Sequence, residues 1–228
     1  MVSEGGIVLD QAGVAGLAVS VQRRVKALPS GGRVVVLIAG IPGSGKSTLT
    51  AAVYGQLTAS APEYAAIAGM DGFHRPEAEL EREGLLDRKG AVETFDGQGY
   101  VELVRRAATA GWTGQLPTYD HAGREPVYSG KPEHRVGKDC RVILAEGNYL
   151  LLEMQPWVAL REVGAVSWWV DTPWARAEAW LRPRHAASGH TPEVVEQKVA
   201  NDRRNARLIE TRSVHADLVV RWPASSIA

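Results

Sequence analysis

A chain of 228 residues, 45% hydrophobic and 23% charged, is long enough to bury a sizeable core as one domain and too apolar for disorder. Its 26 basic and 26 acidic residues cancel, so no net positive field favours a nucleic acid and no acidic excess favours a cationic partner. A single cysteine, Cys140, precludes an intramolecular disulfide and reads as inert beside a strand. No apolar run reaches the roughly eighteen residues of a membrane span, so no membrane partner is expected.

Residues 1–30 are read as an N-terminal segment built on one amphipathic helix, Leu9 to Leu28, closed by Pro29-Ser30-Gly31-Gly32. Glu4 and Asp10 replace the basic start of a secretory leader, and the expected location is the cytoplasm. The apolar, β-branched run 33–40 then leads into Gly40-Ile41-Pro42-Gly43-Ser44-Gly45-Lys46-Ser47 and a helix from Ser47 to Ala59. Gly-x-x-x-x-Gly-Lys-Ser between a strand and a helix is the spacing of a phosphate-cradling loop. Its glycines let successive backbone N–H groups face one anion, the helix adds its positive end, and Lys46 supplies a point charge. Gly40, Pro42, Gly43, Ser44, Gly45, Lys46, Ser47 and Thr48 form the candidate nucleoside-triphosphate set, with Ser47 as magnesium ligand; the alternative is a glycine turn without nucleotide.

Further apolar runs at 64–71, 141–147, 166–172 and 217–222 alternate with helical patterns, which predicts an α/β fold with a parallel sheet covered by helices on both faces. The stretch 72–138 breaks this rhythm, with one helix near Gln98–Ala110, and is read as an insertion over the carboxyl ends of the strands. Thr172-Pro173 opens a helix toward Ser188-Gly189, which Pro183 should kink or interrupt. A second long helix from Thr191-Pro192 places Val195, Val199, Asp202, Ala206 and Ile209 on one seam. Asp202, its polar exception, is read first as an edge acid paired with a neighbouring arginine and second as catalytic. Trp168, Trp169, Trp174 and Trp180 are read as core or interface packing rather than base stacking.

Phosphoryl transfer needs in-line positioning, neutralised charge and usually a base on the accepting hydroxyl. Glu146, at the tip of the apolar run 141–147, suits magnesium binding, commonly through water; a capping or surface acid is the alternative. Asp71 holds the equivalent place after run 64–71 and is the candidate base, or else an Asp-Gly turn residue. No Asn-Lys-x-Asp motif indicates a GTPase, and no Leu-Ser-Gly-Gly-Gln signature indicates an ABC ATPase. A nucleotide-binding regulator that has lost transfer is the rival reading, argued against by Asp71, Glu146 and the insertion occurring together.

Gly40–Ser47, Asp71-Gly72-Phe73-His74, Lys89-Gly90-x-x-Glu93-Thr94-Phe95-Asp96, Pro117-Thr118-Tyr119-Asp120-His121 and Glu146-Gly147-Asn148-Tyr149-Leu150 resemble, in content and order, the phosphoribulokinase, uridine kinase and bacterial pantothenate kinase group, and most closely its nucleoside/nucleotide kinase-like branch. The resemblance covers about residues 30 to 222. It implies a three-layer P-loop fold with a five-stranded parallel sheet in the order 2-3-1-4-5, Mg-ATP as donor, and a small-molecule hydroxyl acceptor. It also implies that Asp71 is the base and that the segments ending at Asp96 and holding Tyr119 line the acceptor pocket; Phe73 and Lys89 are carried as substrate-binding candidates, and His74, His121 and Arg124 are read as acceptor contacts or else as ordinary loop residues. From its position alone Asp96 would be a helix N-cap. A lid at 173–190 is implied too, with Arg182 and Arg184 chosen for the phosphates; Pro183 departs from the group's usual unbroken lid helix. Relatives often form dimers, so a homodimer is carried as an expectation.

Overall fold

In the computed structural model, which describes residues 6–120, 123 and 125–223, the apolar runs assemble into one six-stranded parallel sheet. Its strands are β1 (Ile7–Val8), β2 (Val34–Ala39), β3 (Ala65–Gly69), β8 (Val142–Gly147), β9 (Val166–Val170) and β10 (Leu218–Arg221), in the order β1-β10-β9-β2-β8-β3. The five expected strands keep the order 2-3-1-4-5; the count is corrected to six because β1 pairs with β10 through Ile7 and Val220. A two-residue strand shows no period, which is why it was invisible in the sequence. The expected N-terminal helix is correspondingly shorter: α1 (Gln11–Lys26) starts at the N-cap Asp10, whose Oδ1 accepts from the Gly13 N–H at 2.7 Å.

Central strand β2 is buried throughout and divides its side chains by the strand period of two. Val34, Val36 and Ile38 face Leu17 and Val21 of α1 and Leu49 and Val53 of α2 (Lys46–Thr58). Val35, Leu37 and Ala39 face the other layer, with Tyr100 and Val104 of α4 (Gly97–Ala108), Trp157 and Ile209. Helices therefore cover both faces of the sheet.

Between β3 and β8 lie α3 (Glu77–Arg82), α4 and two small antiparallel pairs: β4 (Gly114–Gln115) with β7 (Arg135–Val136), and β5 (Thr118–Asp120) with β6 (Glu125–Val127). After β9 come α5 (Trp174–Ala187) and α6 (Pro192–Arg212). Of the kink or interruption expected at Pro183, the interruption does not occur: α5 runs as one helix through it. Ala177 and Leu181, on the turns before Pro183, seat this helix against the phosphate loop, where a Cβ on Gly43 would lie 2.7 Å from Leu181 Cγ. Among the described residues no helix is long and apolar enough to cross a membrane.

Candidate active site

Gly40 closes the end of β2, and Lys46 opens α2, so the loop between them joins a buried strand to a helix N-terminus. Gly43 and Gly45 have φ of 73° and 88°, the left-handed region that favours glycine. Each also lacks room for a Cβ, against Leu181 and the Trp222 indole respectively. The loop is thus packed from outside while its inner side borders a cavity of about 290 Å³.

Lys46, Ser47, Asp71 and Glu146 all line that cavity. Strand register explains how: Glu146 is level with Ile38 of β2 and Gly69 of β3, so the loop after β2 and the turn after β3 flank it. Asp71 lies in a single tight turn, Met70–Phe73, directly beyond β3. Lys46 is buried, and its Nζ donates to the Ile41 carbonyl at 2.9 Å. Burial pushes the Lys46 ammonium down to about 8, with the charges of Glu146 and Asp71 opposing the shift. Burial, and then the like charge of Asp71, push the Glu146 carboxyl up to about 7, against the pull of Lys46. Ser47 Oγ donates to the Glu146 carboxylate at 3.3 and 3.4 Å.

His74, Lys89, Phe95 and Tyr119 line the same cavity. His74 packs between Phe95 and Tyr119, with ring centroids 4.1 and 4.7 Å away, and its Nδ1 lies 2.9 Å from the Asp71 carbonyl. Lys89 Nζ pairs with Glu77 at 2.8 Å and sits 5.2 Å from the Tyr119 ring centre. Two other candidates lie elsewhere. Asp96 caps α4, accepting from the Gly99 N–H at 2.9 Å, and Phe73 stands edge-on to Tyr100; neither lines the main cavity. His121 and Arg124 fall outside the described residues.

On the helical side, Arg184 reaches the cavity, whereas Arg182 is held by Glu178 at 2.6 Å and by Glu196 and does not line it. Asp202 accepts from, or shares a proton with, His185 Nε2 at 2.8 Å, and both line the cavity. The expected arginine partner of Asp202, on α6, is therefore corrected to His185 of α5. The available signal was an acid interrupting an apolar seam. Trp168 is a core residue as expected, but Trp180 joins Trp222 in lining a second recess of about 440 Å³ beside Gly45 and Thr48.

These residues fit a nucleotide's phosphates: Gly43 in the left-handed region, a buried lysine and the start of a helix line one cavity, and Gly45, also left-handed, borders the recess beside it. Among the described residues no group of three or more His, Cys, Asp or Glu could hold a metal by itself. Ser47 and Glu146, which touch through the Ser47 hydroxyl, are the residues that would hold a magnesium ion on the protein side.

No family model matches the chain. It is 32% identical over 160 residues to an ATP-dependent kinase-like protein, notR', of Aspergillus versicolor, covering 67% of this chain and 87% of that one. It is 32% identical over 210 residues to a protein of Schizosaccharomyces pombe provisionally named a uridine kinase, covering 87% of each. The crystal structure of a kinase from Silicibacter sp. TM1040, provisionally assigned to fructose transport, superposes with a TM-score of 0.77 at 36% identity over 92% of this chain and 98% of that one. Kinases thus match the chain over nearly its whole length, in sequence and in fold, and the chain belongs to the phosphoribulokinase, uridine kinase and pantothenate kinase family of P-loop kinases.

Proposed function

We propose that this small-molecule kinase transfers the terminal phosphoryl group of ATP to a hydroxyl of a small polar alcohol, a nucleoside, a sugar or sugar acid, or a pantothenate-like compound. The observation that carries the reading is one cavity lined by Lys46, Ser47, Asp71 and Glu146 together with His74, Lys89 and Tyr119. In this reading Asp71 takes the proton from the accepting hydroxyl. Lys46 and the loop N–H groups hold the phosphates, with the loop set Gly40 to Thr48 around them. Ser47 and Glu146 would hold a magnesium ion, which when bound would neutralise charge on the transferring group. The segment 72–138 carries the acceptor wall, and α5 with the residues to 190 acts as the lid. All these roles fall within one chain, so the homodimer expected from relatives is not needed for the chemistry.

The test is release of ADP from Mg-ATP in the presence of a panel drawn from the three acceptor classes. Stimulation by one class identifies the acceptor; binding of ADP without stimulation by any of them overturns the proposed acceptors.

The two lid arginines should separate in the same assay. Arg184→Gln is expected to lower turnover about 10²-fold by removing a planar cation from the cavity. Arg182→Gln should stay within about threefold, since an exposed pair with Glu178 and Glu196 contributes little. Equal losses in both would reject Arg184 as the phosphate contact.

A further inference from the structure

The outer side of the phosphate loop is gripped by two side chains that phosphoryl transfer leaves without a role. The Ser44 carbonyl accepts from the Thr172 hydroxyl at 3.0 Å and from Trp222 Nε1 at 2.9 Å. Thr172 follows β9 and Trp222 directly follows β10, so the donors come from two neighbouring strand ends and meet on one oxygen. Two donors occupy both lone pairs of that carbonyl, which leaves it no reason to turn. Thr172 is 5% exposed and lines neither cavity, so it cannot act by touching a ligand there.

A trans peptide sends its C=O and the following N–H in opposite directions. Holding Ser44 O toward the ends of β9 and β10 therefore aims the Gly45 N–H the other way. Gly45 has φ of 88° and could not carry a Cβ against the Trp222 indole, so the ring, the glycine and the peptide orientation are mutually required. Trp222 is anchored in turn: its carbonyl accepts from Arg176 Nη1 at 3.2 Å, and the Pro223 carbonyl accepts from Nη2 of the same residue. Arg176 belongs to α5, the helix that also brings Arg184 to the cavity.

We infer that Thr172 and Trp222 are positioning residues, which fix the Ser44–Gly45 peptide so that the Gly45 N–H faces the bound phosphates before the nucleotide arrives. The inference rests on the proposed reading of the loop as the phosphate site. Without the two donors the peptide is free to rotate, and nucleotide binding must then order it.

The test is calorimetric titration of the full chain with ADP and, separately, inorganic pyrophosphate, accompanied by thermal melting. Thr172→Val and Trp222→Phe are each expected to weaken both ligands about five- to tenfold. Thr172→Ser, which keeps the hydroxyl, should stay within about twofold of the wild type. In turnover assays KM for ATP should rise while kcat changes little. Pyrophosphate has no base, so its weakening separates loop orientation from any contact the Trp222 ring makes in the second recess. A folded Thr172→Val protein with a lowered melting temperature but wild-type affinity would overturn the inference, and if that variant does not fold, unchanged pyrophosphate affinity in Trp222→Phe does so. A wild-type chain binding neither ligand would instead bring down the phosphate-site reading itself.

Discussion

Asp71→Asn is expected to lower turnover by about 10²–10⁴-fold while ADP affinity stays within about twofold, as for loss of a general base that does not hold the nucleotide. Asp71 occupies the tight turn beyond β3 and lines the cavity shared with Lys46, Ser47 and Glu146. Its charge reaches both Lys46 and Glu146, which shows that the three groups share one electrostatic environment. Asparagine keeps the size and turn-forming capacity of the side chain and removes the proton acceptor. Stopped assays with the best acceptor from the panel, alongside ADP titration, would measure the two effects separately. Wild-type turnover in the variant would reject Asp71 as base, and parallel loss of ADP binding would move its role to the nucleotide.

Glu146→Gln should affect activity and stability in opposite directions. Turnover is expected to fall about 10²-fold, with a higher magnesium requirement, because an amide is a poorer partner for a hydrated cation than a carboxylate. The ligand-free protein should become more stable at pH 8. In the fold the carboxyl is pushed up from 4.5 to about 7, first by burial and then by Asp71. Below about pH 4.5 it is protonated in folded and unfolded chains alike, and the substitution is nearly neutral. As pH rises from there to about 7, the unfolded chain ionises first and wild-type stability falls. Above about 7 the wild type carries the cost of a partly buried charge, of order 1–3 kcal/mol. For a chain of this size that is a melting temperature about 2–8 °C higher for the variant at pH 8, with the gap closing toward pH 4.5. Thermal melts in chelator at both pH values would test this; a variant less stable than wild type at pH 8 would contradict the burial argument.

The phosphate loop was legible because its information is local: glycines, lysine and serine at fixed spacing between an apolar strand and a helix. Glu146 and Asp71 were legible as strand-end acids because β8 and β3 read as continuous apolar runs, and their register brings both to one end of the sheet. Arg182 and Arg184 were equivalent in sequence and are not equivalent in space. Two positions on a helix are about 200° apart, so when one faces the cavity the other faces away, here toward Glu178 and Glu196. Pro183 argued locally for a kink or an interruption, and the helix is not interrupted; Leu181, just before it, lies against Gly43.

By itself, then, the sequence determined the α/β class, the strand order through the family resemblance, the loop, and the acids at the strand ends, since each depends on neighbours within a few residues or on a repeating period. Only the tertiary structure decided that β1 completes the sheet, that His185 meets Asp202, which arginine enters the cavity, and that Thr172 and Trp222 converge on Ser44. Those are contacts between chain segments from 17 to 213 residues apart, created by packing helices and strands whose facing sides no local pattern specifies.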